Sequence, residues 1–338
     1  MTHVISGIDH AELTARAAEP PEEITTSPEV RRERRIFYAV SALGLVALGA
    51  AALVLLRRRL GARVWWIRVG VCAPVLVLSA LVNWDLLAVF CVVAALEAWE
   101  RARPGWAGTW IGLGTAAKLY PVLLPPAVVV LALRQRRPGR AVLAVVTATA
   151  TWVAVNAPSY LLHPDCWREF WALNSDRVAD FGSLWMAARM LGHGVGPDRI
   201  NLVYAAVMVV ACLVVLVVGL RARVAPNLAA LALVLVTVFL VANKVYSPQY
   251  TLWLLPLVVL ATRRVWLVAL WALAELVYFV EIWFFIAGFT TPDDGVDKVY
   301  VLAIVVRVAA QLLVCAVVVR DAMARREAAP TVGVPVSP

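Results

Sequence analysis

Residues 227–262 read NLAALALVLVTVFLVANKVYSPQYTLWLLPLVVLAT, two apolar runs on either side of a short polar break. The runs, 227–242 and 250–262, contain no charged side chain, and the break between them carries Lys244, Tyr246 and Gln249. Such runs belong in lipid or in the core of a helical bundle, where polar side chains are costly and usually functional. This stretch therefore predicts membrane helices with a polar site at one end.

The composition of the whole chain agrees with a membrane protein. Of 338 residues, 62% are hydrophobic and only 16% are charged, whereas soluble domains are about half apolar and about a quarter charged. At about 20 residues per crossing, this apolar content suffices for about ten transmembrane helices. A soluble enzyme, a disordered chain and a disulfide scaffold are excluded. The five cysteines form no CxxC pair, so the sequence predicts neither a disulfide framework nor a zinc site.

Eleven apolar runs define the expected architecture. They lie at 36–56, 64–82, 86–99, 106–117, 120–133, 141–161, 200–220, 227–242, 250–262, 265–288 and 299–319. Several are shorter than about 17 residues and need protein neighbours or a thin bilayer. We expect an all-α, multi-pass integral membrane helical bundle of about 11 transmembrane or half-membrane helices over residues 36–320. Disordered polar tails are expected at 1–35 and at 321–338, the second of them in the cytoplasm.

The arginines predict the topology of this bundle. They cluster between the apolar runs at 57–63, 101–103, 134–140, 221–223, 263–264 and 320–326. The positive-inside rule places these clusters in the cytoplasm, and we favour this over a nucleic-acid site despite the formal net charge of +9. The alternate connections, which hold the three lysines, then lie outside, and the C-terminus is cytoplasmic. Only the first run departs from the pattern, because Arg31 to Arg35 would also lie outside.

Two polar breaks on the predicted outer face carry charged side chains. Asp85 lies in a connection with almost no loop, so we expect its carboxylate at or just below the membrane interface. It either caps the next helix or acts on a substrate. Lys118 lies just before Pro121, which breaks its helix. This lysine either snorkels to the interface or binds a phosphate as a compact cation.

The outer segment 163–199 supplies a further candidate. Trp167, Phe170, Trp171 and Leu173 fall at helical spacing, which predicts an amphipathic helix that lies on the membrane. Arg177 follows it as a candidate for binding an anionic lipid headgroup. His163 and His193 lack acidic partners at ligand spacing, which argues against a metal site.

The polar break at 243–249 repeats the lysine–tyrosine–proline arrangement of residues 118–121. Tyr246 and Gln249 are suited to hydrogen-bond a hydroxylated ligand, although interfacial anchoring also explains the tyrosine. The acidic residues 293, 294 and 297 are interpreted as an ordinary solvated loop.

Two features within the apolar runs favour structural roles. Glu275 and Glu281 are either proton-relay groups or partners of Arg264 or Arg307, and we favour pairing. Gly108 and Gly112 form a GxxxG pattern that indicates close helix packing more than a ligand site.

The chain carries no phosphate-binding loop, no GxGxxG and no HExxH motif. An activated group must therefore reach the site through the membrane. Sugar-phosphate lipids meet this requirement, because their phosphate lies at headgroup depth, where Lys118, Lys244 and Arg177 are expected. A carboxylate there can act as base on an acceptor hydroxyl, and the cations can stabilise a departing lipid phosphate.

Four motifs in this order resemble glycosyltransferase family 87. They are Asn83-Trp-Asp-Leu-Leu-Ala-Val, Gly112-Leu-Gly-Thr-Ala-Ala-Lys-Leu-Tyr-Pro, the stretch from Phe170 to Trp185, and Lys244-Val-Tyr-Ser-Pro-Gln-Tyr. Each motif is weak alone, but together they are specific, and the resemblance covers roughly residues 36–320. The family is of GT-C type and is typified by polyprenyl-phosphate-mannose-dependent mannosyltransferases.

The resemblance implies transfer of a sugar, expected to be mannose, from a polyprenyl-phosphate carrier to an envelope glycolipid or polysaccharide. The reaction is expected on the outer side of the plasma membrane, among membrane lipids and without a cofactor or nucleic acid. Asp85 is the expected catalytic carboxylate, and Lys118, Arg177 and Lys244 are the expected ligands of the donor phosphate. The expected contacts to sugar or acceptor are Asn83, Tyr120, Asp180, Tyr246 and Gln249.

Two other functions remain open from the sequence. GT-C enzymes usually carry a key acidic residue in a first outer loop, and the chain begins at what resembles the family's next helix. We therefore expect the usual N-terminal helix and that loop to be missing, which is compatible with a truncated, non-catalytic member. A lipid-linked sugar transporter or flippase would instead place polar residues through the membrane midplane.

Overall fold

A computed structural model of the chain describes residues 27–290 and 296–324. Over these ranges the regular secondary structure is entirely helical. The α-helices are α1 (Pro28–Leu60), α2 (Ala62–Val71), α3 (Ala73–Ser79), α4 (Asp85–Glu100), α5 (Pro104–Ala117), α6 (Leu124–Arg134), α7 (Pro138–Leu162), α8 (Pro164–Asp176), α9 (Leu184–Met190), α10 (Pro197–Arg221), α11 (Leu228–Ala242), α12 (Thr251–Ala261), α13 (Val265–Ile286) and α14 (Lys298–Ala324). Short 3-10 helices precede α6 at Tyr120–Leu123 and α12 at Pro248–Tyr250.

Some of the predicted segments lie outside the described residues. These are the first 26 residues of the predicted N-terminal tail, residues 325–338 of the C-terminal tail, and Asp293 and Asp294 of the predicted acidic loop.

The helices follow the predicted apolar runs with three differences. Helix α14 ends at Ala324 and therefore includes residues 321–324, which the sequence assigned to the C-terminal tail. Helix α1 begins at Pro28 and therefore includes residues 28–35, which the sequence assigned to a tail. Proline suits the first turn of a helix, and the arginines and glutamates after it are good helix formers. The run 64–82 is broken into α2 and α3, which are bent by 62°. Pro74 lies in the first turn of α3, where it has no N–H to continue the preceding helix.

Five of the described helices are long and apolar enough to cross a membrane: α1, α7, α10, α13 and α14. The bent pair of α2 and α3 makes a sixth if it forms one span. Helices α11 and α12, and the segment Tyr120–Arg134, are apolar but shorter. These findings indicate a membrane protein, while the predicted total of about 11 membrane helices stays a prediction.

The short apolar helices form the interior of the bundle. Almost every residue of α11 and α12 is buried, and so is most of α4. By contrast, α7 and α10 bury only 17% and 22% of their most apolar 18-residue windows. Short runs therefore have protein neighbours, as expected for helices that cannot cross lipid alone.

The two glycines of the GxxxG pattern bring α5 and α7 into close contact. A Cβ atom at Gly108 would overlap the carbonyl oxygen of Ala144 and the hydroxyl of Thr147, and one at Gly112 would overlap the carbonyl oxygen of Ala148. Thr147 Oγ1 donates to Gly105 O at 3.0 Å across the same interface. The pattern thus serves helix packing, as the sequence predicted.

The predicted loops separate to two ends of the bundle. At one end, Arg59 pairs with Glu97 and Glu100 at the C-terminal end of α4, and Arg264 pairs with Asp321. Asp85 begins the same α4 helix, about 22 Å away along its axis at 1.5 Å per residue. The lysine-bearing breaks gather at this second end, which is the end predicted to lie outside.

Candidate active site

The centre of the site is an ion pair between two helix ends. Asp85 is the first residue of α4, and Lys118 follows the last residue of α5 with an extended backbone. Lys118 Nζ lies 3.2 Å from Asp85 Oδ1. Pro121 lies in the first turn of the 3-10 helix that follows, and its ring prevents α5 from continuing through the break. The sequence break therefore places the lysine beside the carboxylate.

Asp85 does not cap its helix through its side chain. The position before α4 is Trp84, and no side-chain capping hydrogen bond is present there. The Asp85 carboxylate instead accepts from Trp253 Nε1 at 3.1 Å and is fully buried, while the Lys118 side chain is 25% exposed. The lysine therefore forms the accessible side of the pair, and the second carboxylate oxygen of Asp85 has no protein partner.

Three aromatic rings stack beside this ion pair. The ring of Trp253 stacks on Tyr120 with centroids 4.3 Å apart and on Tyr250 with centroids 4.0 Å apart. Lys118 Nζ lies 5.8 Å from the centre of the Tyr250 ring. The hydroxyl of Tyr120 is buried and has no hydrogen-bond partner. The stack therefore joins the predicted residues Lys118 and Tyr120 to Trp253 and Tyr250, which sequence reasoning missed.

Arg177, Asp180 and Lys244 form a second cluster, where the outer segment meets the break at 243–249. Arg177 Nη2 donates to Asp180 Oδ2 at 2.6 Å. Lys244 Nζ donates to the carbonyl oxygen of Ser175 at 2.6 Å, and the Asp180 N–H donates to Lys244 O at 2.8 Å. The outer segment is thus joined to the break at 243–249 by backbone and side-chain bonds.

Burial and pairing change the proton affinities in this second cluster. Partial burial alone would raise the pKa of Asp180, but the hydrogen bonds from Arg177 and from the Phe181 N–H outweigh it and lower the pKa below its ordinary value. Burial lowers the pKa of Lys244, although Asp176 and Asp198 oppose this effect. Asp180 therefore stays ionised, and Lys244 gives up its proton more readily than an exposed lysine.

Tyr246 lies inside the protein rather than on an open surface. It is fully buried, and its hydroxyl accepts a hydrogen bond from Gln311. Arg307 lies over its ring, with the guanidinium carbon 3.6 Å from the ring centre. Interfacial anchoring does not describe this tyrosine.

The predicted pairing of the buried carboxylates is confirmed for one of them. Glu275 Oε2 accepts from Arg307 Nε at 2.9 Å. Arg264 instead pairs with Asp321, and Glu281 has a buried carboxylate oxygen without a hydrogen-bond partner.

The remaining predicted residues lie at the edges of the site. Asn83 is exposed, and its side chain accepts from the Trp84 N–H. Gln249 is partly buried in the 3-10 helix before α12. The predicted cations therefore divide into Lys118 beside Asp85, Arg177 beside Asp180, and Lys244 bonded to the Ser175 carbonyl oxygen. In the described ranges, no group of three or more His, Cys, Asp or Glu side chains is placed to hold a metal ion.

Comparison with known protein families gives this arrangement its context. The model of glycosyltransferase family 87 matches residues 33–243, which is more than half of the chain. The chain belongs to glycosyltransferase family 87. As a member of family 87, the protein is a glycosyltransferase that acts on a sugar donor and an acceptor. Neither the curated proteins nor the solved structures gave a match.

The family match includes both partners of the central ion pair. Asp85 and Lys118 lie within the matched residues, as do Arg177 and Asp180. The match ends one residue before Lys244, so Trp253, Tyr250 and the helices α13 and α14 lie beyond it. In this family 87 protein, the site is therefore completed by residues outside the matched region.

Proposed function

We propose that the protein transfers a sugar, with mannose as the favoured sugar, from a polyprenyl-phosphate carrier to an envelope glycolipid or polysaccharide. The proposed reaction takes place on the outer side of the plasma membrane. Family 87 membership supports sugar transfer, and the apolar helices support a donor that resides in the membrane.

The observation that carries this proposal is the partly exposed Lys118 next to the buried Asp85, 3.2 Å apart at a helix break. Lys118 is the accessible cation of the pair, and a compact ammonium suits a lipid phosphate. A phosphate that draws Nζ toward itself weakens the bond to Asp85 Oδ1 and leaves the carboxylate free to accept another proton donor. Donor binding would thus free Asp85 to act as the base.

The chemistry follows from this exchange of partners. Asp85 accepts the proton of an acceptor hydroxyl, and the hydroxyl oxygen attacks the anomeric carbon of the donor sugar. The bond between that carbon and the phosphate oxygen breaks, and polyprenyl phosphate departs with its electron pair. Lys118 compensates the charge that develops on the departing phosphate. The proton remains on Asp85 until it is released to solvent.

Two buried oxygens without protein partners support a hydroxylated ligand. They belong to the Asp85 carboxylate and the Tyr120 hydroxyl, and both residues contact Trp253. A buried polar group without a partner costs about 1–3 kcal/mol, which a ligand hydroxyl can recover. The second cluster, with Arg177 and Lys244, offers cations for the same donor phosphate or for an acidic acceptor.

The test is sugar transfer by the purified chain in lipid vesicles. Polyprenyl-phosphate [³H]mannose and a lipid extract from the source membrane are supplied, and label in the extracted acceptor fraction is measured. GDP-[³H]mannose serves as the soluble-donor control. We expect transfer from the lipid donor alone. Movement of the labelled lipid between leaflets without transfer would support the transporter alternative, and no change in the labelled lipid at all would support a non-catalytic member.

A further inference from the structure

Arg307 of α14 holds the backbone of the polar break at 243–249. Its Nη1 donates to Tyr246 O at 2.8 Å, and its Nη2 donates to Ser247 O at 3.2 Å. The same guanidinium pairs with Glu275 of α13 through Nε. One buried side chain thus fixes two consecutive carbonyl groups between Lys244 and Tyr250.

The outer segment docks on the same point. The Tyr246 N–H donates to Phe181 O at 3.0 Å, and the Gly182 N–H donates to the Tyr300 hydroxyl at 2.9 Å. Gly182 has φ +76°, and a Cβ atom there would overlap Tyr246 O, the carbonyl to which Arg307 donates. The turn that carries Asp180 is therefore packed directly against the backbone that Arg307 holds.

Rings and amides surround the guanidinium as well. The guanidinium carbon of Arg307 lies 3.6 Å from the Tyr246 ring centre and 4.2 Å from the Tyr278 ring centre. Gln311 donates to Glu275 and to the Tyr246 hydroxyl. Arg307 has no exposed side-chain surface, and Glu275 is 1% exposed. All three guanidinium nitrogens therefore donate to protein groups, and two aromatic rings lie close to the guanidinium carbon.

A buried ion pair is a poor means of stabilising a fold, because well-packed apolar side chains often serve equally well. An apolar pair would, however, leave the carbonyls of Tyr246 and Ser247 without donors. Arginine presents its donors in a rigid fork, whereas lysine presents a mobile point charge. The rigid fork of Arg307 therefore serves to bind both carbonyl oxygens at once.

We propose that Arg307 is a positioning residue for sugar transfer, which rests on the function proposed above. By binding the carbonyls of Tyr246 and Ser247, it fixes Lys244 against the outer segment and Tyr250 beside Lys118. The helices α13 and α14, which lie beyond the family match, thereby set the geometry of residues that contact the donor. A small displacement of residues that bind the donor weakens donor binding in the reactive geometry, and so raises KM, without unfolding the bundle.

The test compares Arg307→Lys with Arg264→Lys in vesicles. Arg264, the residue before α13, pairs with Asp321 of α14 and links the same two helices 14 residues further along α14 than Arg307. A Ser247→Cys reporter in a Cys166→Ser background reads the position of the break through its labelling rate with a membrane-impermeant maleimide. Transfer kinetics with polyprenyl-phosphate mannose are measured in both variants without the reporter, and thermal unfolding in detergent shows that each is folded.

We expect Arg307→Lys to label several-fold faster than its parent, and to lose about tenfold or more in kcat/KM for the lipid donor, mainly through KM. Arg264→Lys should match the parent in both. Parent-like labelling of folded Arg307→Lys would overturn the proposal. Labelling needs no turnover. If neither the parent nor Arg307→Lys transfers sugar, faster labelling of Arg307→Lys would therefore retain the positioning role and reject the proposed function.

If Arg307→Lys does not fold, the labelling rate of Glu275→Gln is compared with the parent in the same way. Misfolding of both variants would overturn the positioning role, because the network would then be needed for the fold itself.

Discussion

Asp85 Oδ1 receives two donors at once, Lys118 Nζ at 3.2 Å and Trp253 Nε1 at 3.1 Å. Asp85 is 33 residues from Lys118 and 168 residues from Trp253 in the sequence. The lysine is partly exposed and the indole is buried. In the proposed reaction, Lys118 therefore leaves Asp85 for the donor phosphate while Trp253 keeps the carboxylate in place.

Trp253→Phe tests the fixed donor. The variant keeps an aromatic ring between Tyr120 and Tyr250 but removes the N–H that Asp85 accepts. A hydrogen bond to a charged group contributes about 1.5–3 kcal/mol, so we expect sugar transfer in vesicles to fall by about tenfold or more. Trp271→Phe is the matched control, because the buried indole N–H of Trp271 has no hydrogen-bond partner. Equal effects of the two variants would count against the role of Trp253.

Gly108→Ala tests the contact between α5 and α7. The added methyl group would overlap the Ala144 carbonyl and the Thr147 hydroxyl, and overpacking of this kind costs about 1–3 kcal/mol. We expect a lower unfolding temperature in detergent. Gly105→Ala in the same helix should leave that temperature nearly unchanged, because its methyl group would lie 3.8 Å from Leu143. A stable Gly108→Ala protein would show that these helices are not held so closely.

Gly182→Ala tests the docking of the outer turn on the polar break. Gly182 and Gly192 both have positive φ, +76° and +84°, so alanine adds similar backbone strain of about 1–2 kcal/mol at each. Only at Gly182 would the new methyl group also overlap Tyr246 O and the Tyr278 hydroxyl. We expect Gly182→Ala to lose most transfer activity in vesicles and Gly192→Ala to keep it. Similar activities of the two variants would contradict the docking of the outer turn on the polar break.

The pH dependence of donor binding tests Lys244. Burial lowers its pKa from the ordinary 10.5, so binding of the lipid phosphate should weaken at a lower pH than an exposed lysine would allow. Lys244→Arg keeps its charge at high pH and should move this alkaline loss upward. The exposed Lys298 provides the control variant Lys298→Arg, which should leave the profile unchanged.

The lowered pKa of Lys244 distinguishes an alkaline loss of donor binding from alkaline unfolding. Lys244 binds its proton less tightly in the folded chain than in the unfolded chain. The free energy of unfolding therefore increases with pH between the lowered pKa of Lys244 and 10.5. Alkaline unfolding of the parent through Lys244 is therefore not expected. A profile that is identical for parent and Lys244→Arg would remove Lys244 from the donor site.

The sequence predicted the helices well because apolar runs and proline breaks are local signals. The runs at 86–99 and 227–242 correspond closely to α4 and α11. The extension of α1 to Pro28 was missed, because its charged first turns carry no apolar pattern. The pairing of Glu275 with Arg307 was anticipated, since buried charges need partners.

The site was predictable in its charges but less so in its geometry. Lys118 and Asp85 were expected on one face, and they meet. Tyr246 was expected to face a ligand but is buried under Arg307, which no local pattern could show, because their contact spans 61 residues. Trp253 and Tyr250 were missed because aromatic residues in an apolar run look like core.

The most direct measurement is the rate of sugar transfer by Asp85→Asn, Lys118→Gln and the double variant in vesicles with polyprenyl-phosphate [³H]mannose. Glu97→Gln, which alters an ion-paired carboxylate at the other end of α4, is the control. The role proposed for this ion pair predicts losses of about 10²-fold or more for each single variant, and little further loss in the double variant, because the two groups act as a unit. Transfer by a folded Asp85→Asn protein at the rate of the Glu97→Gln control would contradict it.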